Sequence, residues 1–523
     1  MSRFLFLITI IIFLAGFFIY GNFLSKILGI DKNRKTPSIY KFDGIDYVPA
    51  KNPIVLFGHH FSSIAGAGPI IGPIFALIFW GWVPALLWIL IGSIFLGGVS
   101  DFVSMFISVR EDGKSIGDIS RKYISRRTGF SFLLFLCFSL LIVIAVFSSL
   151  CAQTFISMPE IVIPSIGLIF VAIFIGILIY KTNIPVFLST IIGITLIFVL
   201  ILLGNKFPLK LTLKNAFLIW MIILLAYSYF ASSLPVNILL QPRDYLSSFL
   251  LFFGIIVLVI GIFLKPASMN KINLFNFSSK IGPLFPLMFI TVACGAISGF
   301  HSVVATGTSS KQVANEKDIK FIGYGAMLLE GILAASVVFI VTFALKEIPE
   351  GKNPLEIFSF SFSKTVFFLG KYSPYIALLI LNSFILTTLD TATRITRLLI
   401  QEITKIKSKH LATSIVILIG GYLALSGKYE ILWPIFGASN QLVAGISLLT
   451  CSAWLIYKKK NYLITFIPGL IMFLITISAL IIKMPELLKI KNYVLFLIDL
   501  ILTIVGIFIM GEFFIKKLKR EGG

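Results

Sequence analysis

Charge is what this chain has least of. Only 13% of its 523 residues are Asp, Glu, Lys or Arg, against roughly 25% in a soluble globular chain. That shortage excludes a water-soluble globular protein. With 58% hydrophobic residues and a mean hydropathy of +1.02, it indicates an all-α polytopic membrane protein. Acidic residues are the scarcer sign, 22 against 44 basic. The basic residues lie scattered through short connections with no compact patch, so no nucleic acid partner is expected. Cysteine is rare as well. Cys137, Cys151, Cys294 and Cys451 all sit in apolar runs without C-x-x-C spacing, so no metal site is read from them. No G-x-x-x-x-G-K-S/T pattern occurs, which leaves an ion gradient rather than ATP hydrolysis as the energy source. There is also no H-E-x-x-H, no third ligand near the histidines and no recognisable nucleophile motif. No metal, cofactor or enzymatic activity is expected, and an intramembrane hydrolase is the weakest reading.

What the chain has in abundance is apolar segments. They recur from end to end, with no soluble stretch long enough to fold alone, so residues 1–523 are expected to form a single transmembrane domain. About fifteen spans are expected: 4–22, 54–80, 83–109, 131–157, 161–180, 184–204, 215–236, 247–264, 282–307, 323–345, 372–393, 411–426, 431–457, 462–482 and 493–515. Most are close to the roughly 17 to 25 residues a tilted helix needs. Arg3 ahead of the first apolar run resembles a secretory signal, but the length of the run and the lack of a small-residue cleavage site favour a retained helix. Lys26, Lys32, Arg34, Lys35, Lys41 and Lys51 follow it, which would hold that side in the cytoplasm. With the N-terminus outside and the C-terminus cytoplasmic, 29 of the 44 Lys and Arg fall inside and 15 outside. Most of the bias comes from the loop 110–130 and from Arg394 to Lys409. The external segment 346–371 is expected to hold a short interfacial helix at Leu355 to Phe368, and Ser309-x-x-Gln312 has the form of a capping box opening another short helix.

Against that background one polar stretch stands out, Gly58-His59-His60-Phe61-Ser62-Ser63-Ile64-Ala65-Gly66-Ala67-Gly68-Pro69. Such residues are costly in hydrocarbon unless they are used. Gly299-Phe300-His301-Ser302-Val303-Val304-Ala305-Thr306-Gly307 repeats its Gly-x-His-x5-Gly pattern 241 positions later. The two lie seven spans apart, an odd step, so they cross the bilayer in opposite senses. They are read as interrupted first helices of a five-plus-five inverted repeat, 54–204 and 282–457. Residues 1–53 precede it with one helix and a loop, 205–281 supply two linking helices, and 458–523 two C-terminal helices.

In the first interrupted helix, Gly66-Ala67-Gly68 form the opening and Pro69 begins the second half. A helix end there presents unpaired N–H groups and a positive dipole, suited to a carboxylate. The competing reading is close helix packing through Gly68-x-x-x-Gly72. His59 and His60 point about 100° apart on a helix. His60, matched to His301, is the one expected to contact substrate or move protons. Ser63, Ser302 and Asn440, the last within Trp433-Pro434-Ile435-Phe436-Gly437-Ala438-Ser439-Asn440-Gln441, are further substrate-binding candidates, although interhelical hydrogen bonding is the commoner role of such groups. Asp101, Glu330 and Asp390 lie inside spans, about 10 to 15 Å from the expected cytoplasmic face, and are the candidates for proton coupling. Asp390 has Arg394 one turn on and is expected to pair with it. Asp101 and Glu330 have no opposite charge within a helical turn.

These residues also carry a family resemblance. Asp43-Gly44-x-Asp46-Tyr47-Val48-Pro49, Leu56 to Phe61 with Ile64 to Pro69, Gly98 to Phe102, Cys294 to Ser302, Asn315-Glu316, Thr387 to Arg394 and Trp433 to Gln441 resemble, in order, the motifs of the carbon starvation protein A family. The resemblance covers about 43–457. It implies an inner-membrane transporter related to the amino acid, polyamine and organocation group, with a LeuT-like inverted repeat. It also implies import of peptides or pyruvate when preferred carbon is scarce. The partners expected are therefore a small carboxylate-bearing substrate, a coupling ion, taken to be the proton, and the lipid bilayer. The alternative is a membrane nutrient sensor that binds the same ligand without moving it, for which no output domain is visible. This chain looks shorter than the long family members, with briefer external loops.

Overall fold

In a bilayer the chain must satisfy its own backbone, and helices do so within a single segment. The computed structural model describes residues 2–44, 47–50, 52–181, 184–212, 215–234, 239–264, 274–345, 352–426, 429–489 and 491–521. In the first half the helices are α1 Arg3–Leu28, α2 Pro53–Ile64, α3 Gly68–Trp80, α4 Trp82–Arg110, α5 Ile116–Tyr123, α6 Arg126–Ser157, α7 Pro159–Leu178, α8 Phe187–Lys206, α9 Ala216–Ser233 and α10 Leu240–Leu264. In the second half they are α11 Leu284–Thr291, α12 Ala293–Ala296, α13 Gly299–Gly307, α14 Glu316–Ala344, α15 Pro354–Thr365, α16 Ser373–Thr404, α17 Lys409–Ser426, α18 Tyr429–Tyr457, α19 Leu463–Lys489 and α20 Tyr493–Glu521.

Several ends are written locally. Asn52 accepts a hydrogen bond from the Ile54 N–H, with Pro53 in the first turn of α2. Ser115, Ser125 and Asn353 likewise accept from the backbone of Asp118, Thr128 and Glu356 at the starts of α5, α6 and α15. Each such side chain satisfies a donor the helix itself cannot.

Thirteen helices among the described residues are long and apolar enough to cross a bilayer. The pair α2 and α3, bent by 46° at its break, makes a further span. The remaining expected span, 282–307, is cut into α11, α12 and α13. The placement of spans thus follows the hydropathy of the chain, including the two interruptions. The count among the described residues is thirteen, or fourteen with the bent pair, against fifteen expected, because 282–307 is cut into pieces too short to cross alone.

The two breaks are not alike. In the first, Ala65 is extended (φ −71°, ψ 104°) and α3 begins at Gly68, so the break follows His59 and His60. In the second, Ile297 and Ser298 are extended and α13 begins at Gly299, so the break precedes His301. The Gly-x-His-x5-Gly match therefore does not align the two breaks: Gly66 lies in one, whereas Gly307 ends α13.

Packing turns on the two 32-residue helices α6 and α16, which lie against each other. Helix α2 packs on α10, α16 and α13, α3 on α14, and α13 lies between α4 and α18. Helix α10, one of the two helices expected to link the repeats, thus touches the interrupted helix directly. By contrast α8 packs mainly on α7, with an edge on α10.

Two local expectations are corrected. Ser309-x-x-Gln312 opens no helix; one tight turn, Ser309–Lys311, forms there. The Ser309 hydroxyl is drawn 2.8 Å from His60 Nδ1 instead. The short helix of the external segment is present as α15, packed against α14, α16 and α3 through the buried Leu355, Ile357, Phe358 and Phe362, and it ends at Thr365 rather than Phe368. Residues 346–351 of that segment lie outside the described residues.

The end of the bundle that carries loop 110–130 and Arg394 to Lys409 is here called the basic end. There the turn after α4 is pinned by Glu111, which accepts hydrogen bonds from Tyr123 Oη at 2.5 Å, Lys122 Nζ at 2.6 Å and Trp454 Nε1 at 2.8 Å. Burial pushes the Glu111 carboxyl up, but those donors outweigh it and hold the group below its ordinary range.

Close approach at the second break depends on Gly299, where an added Cβ would overlap Val443 and the backbone of Asn440 and Ala444. Gly511, in α20, has nothing within 4 Å of that position. Gly299→Ala should therefore lower stability by about 1–3 kcal/mol. Gly511→Ala should raise it by about 0.5–1 kcal/mol through helix propensity. Thermal unfolding of the purified protein in detergent checks this, and equal effects at the two sites would refute the packing argument.

Candidate functional site

Four side-chain constellations surround the interrupted helices. The first joins three expected residues. His301 on α13 places Nδ1 2.9 Å from Asp101 Oδ2 on α4 and Nε2 3.2 Å from Glu330 Oε2 on α14. The Asp101 contact is a hydrogen bond. The Glu330 contact is close but lacks hydrogen-bond alignment, so both Glu330 oxygens are without a hydrogen-bond partner among the described residues. All three side chains are fully buried. Ser302, next along α13, bonds to Ser100 at 2.9 Å and Ser104 at 3.3 Å on α4.

The second constellation holds Asp390 on α16. Its partners are Arg243 on α10, in close contact, and Tyr227 on α9, which donates to it at 2.5 Å. Arg394 does not pair with Asp390, as its position one turn on had led us to expect. It reaches instead to the carbonyl oxygens of Ala231 and Leu234. The reason is geometric: α16 turns Asp390 inward against α10, and Arg394 lies toward the basic end.

The third is Asn440 on α18. Its Oδ1 accepts from the Phe300 N–H at 2.9 Å, and its Nδ2 donates to Ser298 Oγ at 2.9 Å. An interhelical side chain thereby supplies the N-terminal cap that Ser298, at the N-cap position of α13, does not make itself.

The fourth borders a cavity of about 560 Å³ open at the basic end. Its walls include His59 and Ser63 from α2, Asp244 from α10, Thr306 and Gly307 from α13, and Gln312 beyond it. Lys114, Lys311, Arg394 and Arg397 stand on other parts of the wall. His59 Nδ1 and Ser63 Oγ each lie 3.4 Å from Asp244 Oδ2, and Gln312 Nε2 lies 3.4 Å from His59 Nε2.

Of the seven expected substrate-binding residues, Ser63 alone lines this cavity. His60 is fully buried against Ser309. A Cβ on Gly66 would meet Phe147 at 2.9 Å, and one on Gly68 would meet Cys294 Sγ at 2.6 Å. Both glycines admit a neighbouring side chain, as the close-packing reading had it. His301, Ser302 and Asn440 make the contacts given above. Among the described residues no His, Cys, Asp and Glu side chains are grouped in threes as metal ligands.

Sequence reasoning ranked His59 below His60, read Gln312 only as part of a capping box, and missed Tyr227, Arg243 and Asp244. The expected span 247–264 began just after Arg243-Asp244, which left both looking like loop charges. A signal was nonetheless present, since Pro242 marks a helix start and two opposite charges beside it enter an apolar run.

The sequence profile described as "Carbon starvation protein CstA" matches residues 1–358 and 350–479. The chain belongs to the carbon starvation protein CstA family. Within that family it is 32% identical to the peptide transporter CstA of Campylobacter jejuni subsp. jejuni, over 90% of this chain and 78% of that one. It is 36% identical to the pyruvate/proton symporter BtsT of Escherichia coli K12, over 62% of this chain and 47% of that one. Among solved structures, MhsT in complex with L-phenylalanine superposes with a TM-score of 0.53 at 12% identity, covering 82% of this chain and 99% of that one. At that identity the likeness concerns the fold alone, and it gives this CstA-family chain the LeuT-like architecture, five-plus-five with interrupted first helices.

If Asp390 is the counter-ion of Arg243, Asp390→Asn leaves a buried cation unpaired and should cost about 3–5 kcal/mol. Asp390→Leu combined with Arg243→Met should recover most of that loss. Unfolding in detergent with the single and double variants tests the pairing, and additive losses would exclude it.

Proposed function

We propose that this chain imports a small carboxylate-bearing nutrient, a short peptide or a pyruvate-like acid, across the inner membrane together with protons, as part of the response to carbon starvation. Its family and fold make it a secondary transporter. In this reading the N-terminus faces outward and the basic end faces the cytoplasm, in keeping with 29 of the 44 Lys and Arg lying on that side. The cavity is then the substrate path open to the cytoplasm, leading past Ser63 toward the break at Gly66 and Gly68.

The observation that carries the proposal is His301 held between Asp101 and Glu330. The three groups belong to three different helices, and the histidine stands three residues beyond the break before α13. A shift of α13 against α4 or α14 lengthens one acid–imidazole contact or the other. Because an opposite charge favours the ionised form of its neighbour, such a shift changes which group holds the proton. Helix movement and proton movement are thereby linked. Asp101 and Glu330 rank ahead of Asp390 as carriers, since Asp390 already has a permanent cation in Arg243.

The test uses the purified chain in liposomes under an imposed inward proton gradient. Accumulation of labelled pyruvate or a labelled dipeptide should collapse on adding a protonophore. Glu330→Gln should abolish accumulation while leaving substrate counterflow within about threefold of normal, because the neutral amide stands in for the protonated acid and permits binding and helix movement without a transferable proton. Concentrative uptake that survives the protonophore would rule out proton coupling.

A further inference from the structure

Asp244 occupies a position that neither proton movement nor fold explains. Only 1% of it is exposed, yet it forms part of the cavity wall. Its Oδ1 has no hydrogen-bond partner among the described residues. Its Oδ2 has neighbours at 3.4 Å, His59 Nδ1 and Ser63 Oγ, at the long limit of a hydrogen bond. The nearest cation, Arg243, has Nη2 3.9 Å from Oδ1 while its Nη1 is engaged by Asp390 and Tyr227. A carboxylate taken out of water without donors is costly, and the cost is recovered only when donors arrive. The other two acids of the cavity wall are more solvated: Asp118 is half-buried and bonded to Ser115, and Glu402 is exposed.

Resting on the transport reading above, we infer that Asp244 is the acceptor for a protonated amine on the substrate, with His59, Ser63 and Gln312 as its polar surround. An ammonium group brings three donors and a full charge to a carboxylate whose present neighbours stand at 3.4 to 3.9 Å, and such charge-assisted bonds are the strong ones. The cavity is correspondingly bipolar. Its buried acid lies on α10, and its cations, Lys114, Lys311, Arg394 and Arg397, stand on the walls formed by loop 113–118, by the segment after α13 and by α16. A molecule with an amine at one end and a carboxylate at the other meets the opposite charge at both ends. A volume of about 560 Å³ accommodates more than a single amino acid, which favours a short peptide with a free N-terminus. A keto acid lacks the amine and leaves Asp244 unsatisfied.

The test compares the full chain in liposomes with three labelled probes: trialanine, N-acetyl-trialanine and pyruvate. Trialanine should be taken up with a kcat/KM at least about 10-fold above that of the acetylated peptide, the scale of one charge-assisted hydrogen bond. Asp244→Asn should remove that difference by lowering trialanine uptake alone, and Asp244→Glu should restore part of it. The wild-type comparison needs no variant, so a folding defect in Asp244→Asn leaves the inference open to refutation. Equal uptake of the two peptides, a preference that survives in Asp244→Asn, or uptake of pyruvate alone would overturn the role of Asp244 and leave transport standing. Uptake of none of the three probes would overturn the transport reading itself.

Discussion

A helix that stops halfway across a bilayer leaves backbone donors and acceptors with nothing around them but hydrocarbon. Irregular backbone is tolerated at that depth only where other protein, or a water-filled cavity, surrounds it. The chain has two such places, at residues 65–67 and 297–298, and much of the bundle is arranged to cover them. Phe147 and Thr388 close on Gly66, Cys294 closes on Gly68, and Asn440 caps the start of α13. The small residues at the breaks allow that cover to come close. Because the polar cost has been met there, side chains that would otherwise be expelled can reside nearby.

The charged groups so admitted separate into three kinds of environment. His301 with Asp101 and Glu330 is sealed from the cavity and spans three helices. Asp390 with Arg243 and Tyr227 is sealed as well, but holds a permanent cation, which makes it a fixed strut between α9, α10 and α16. Asp244 and His59 lie on the cavity wall with looser contacts. A buried imidazole between two acids, a fixed ion pair and an acid with only long contacts on a cavity wall are physically distinct. Arg243 and Asp244 are adjacent on α10, so the ion pair and the cavity wall share that helix, whereas the His301 group stands on α4, α13 and α14.

The fold was legible in the chain because its signals are local. Hydropathy marks a span wherever it lies. Asn52-Pro53 and Ser125 announce helix starts, and Gly66 to Pro69 announces a break, all within a few residues. The candidate site was legible in part. His301, Asp101 and Glu330 stood out as polar groups without local partners, and they proved to be partners of one another. The pairing of Asp390 with Arg394 was inferred from one turn of helix, whereas its partner Arg243 lies 147 positions away.

The sequence by itself determined the placement of most spans, their two interruptions and the family, since each depends on residue type and near neighbours. The tertiary structure decided which charges meet, which of two adjacent histidines faces the cavity, and that Asp244 belongs to its wall. Those outcomes depend on the rotation and contact of helices far apart in the chain. No local pattern of residues encodes the direction in which a packed helix turns its side chains.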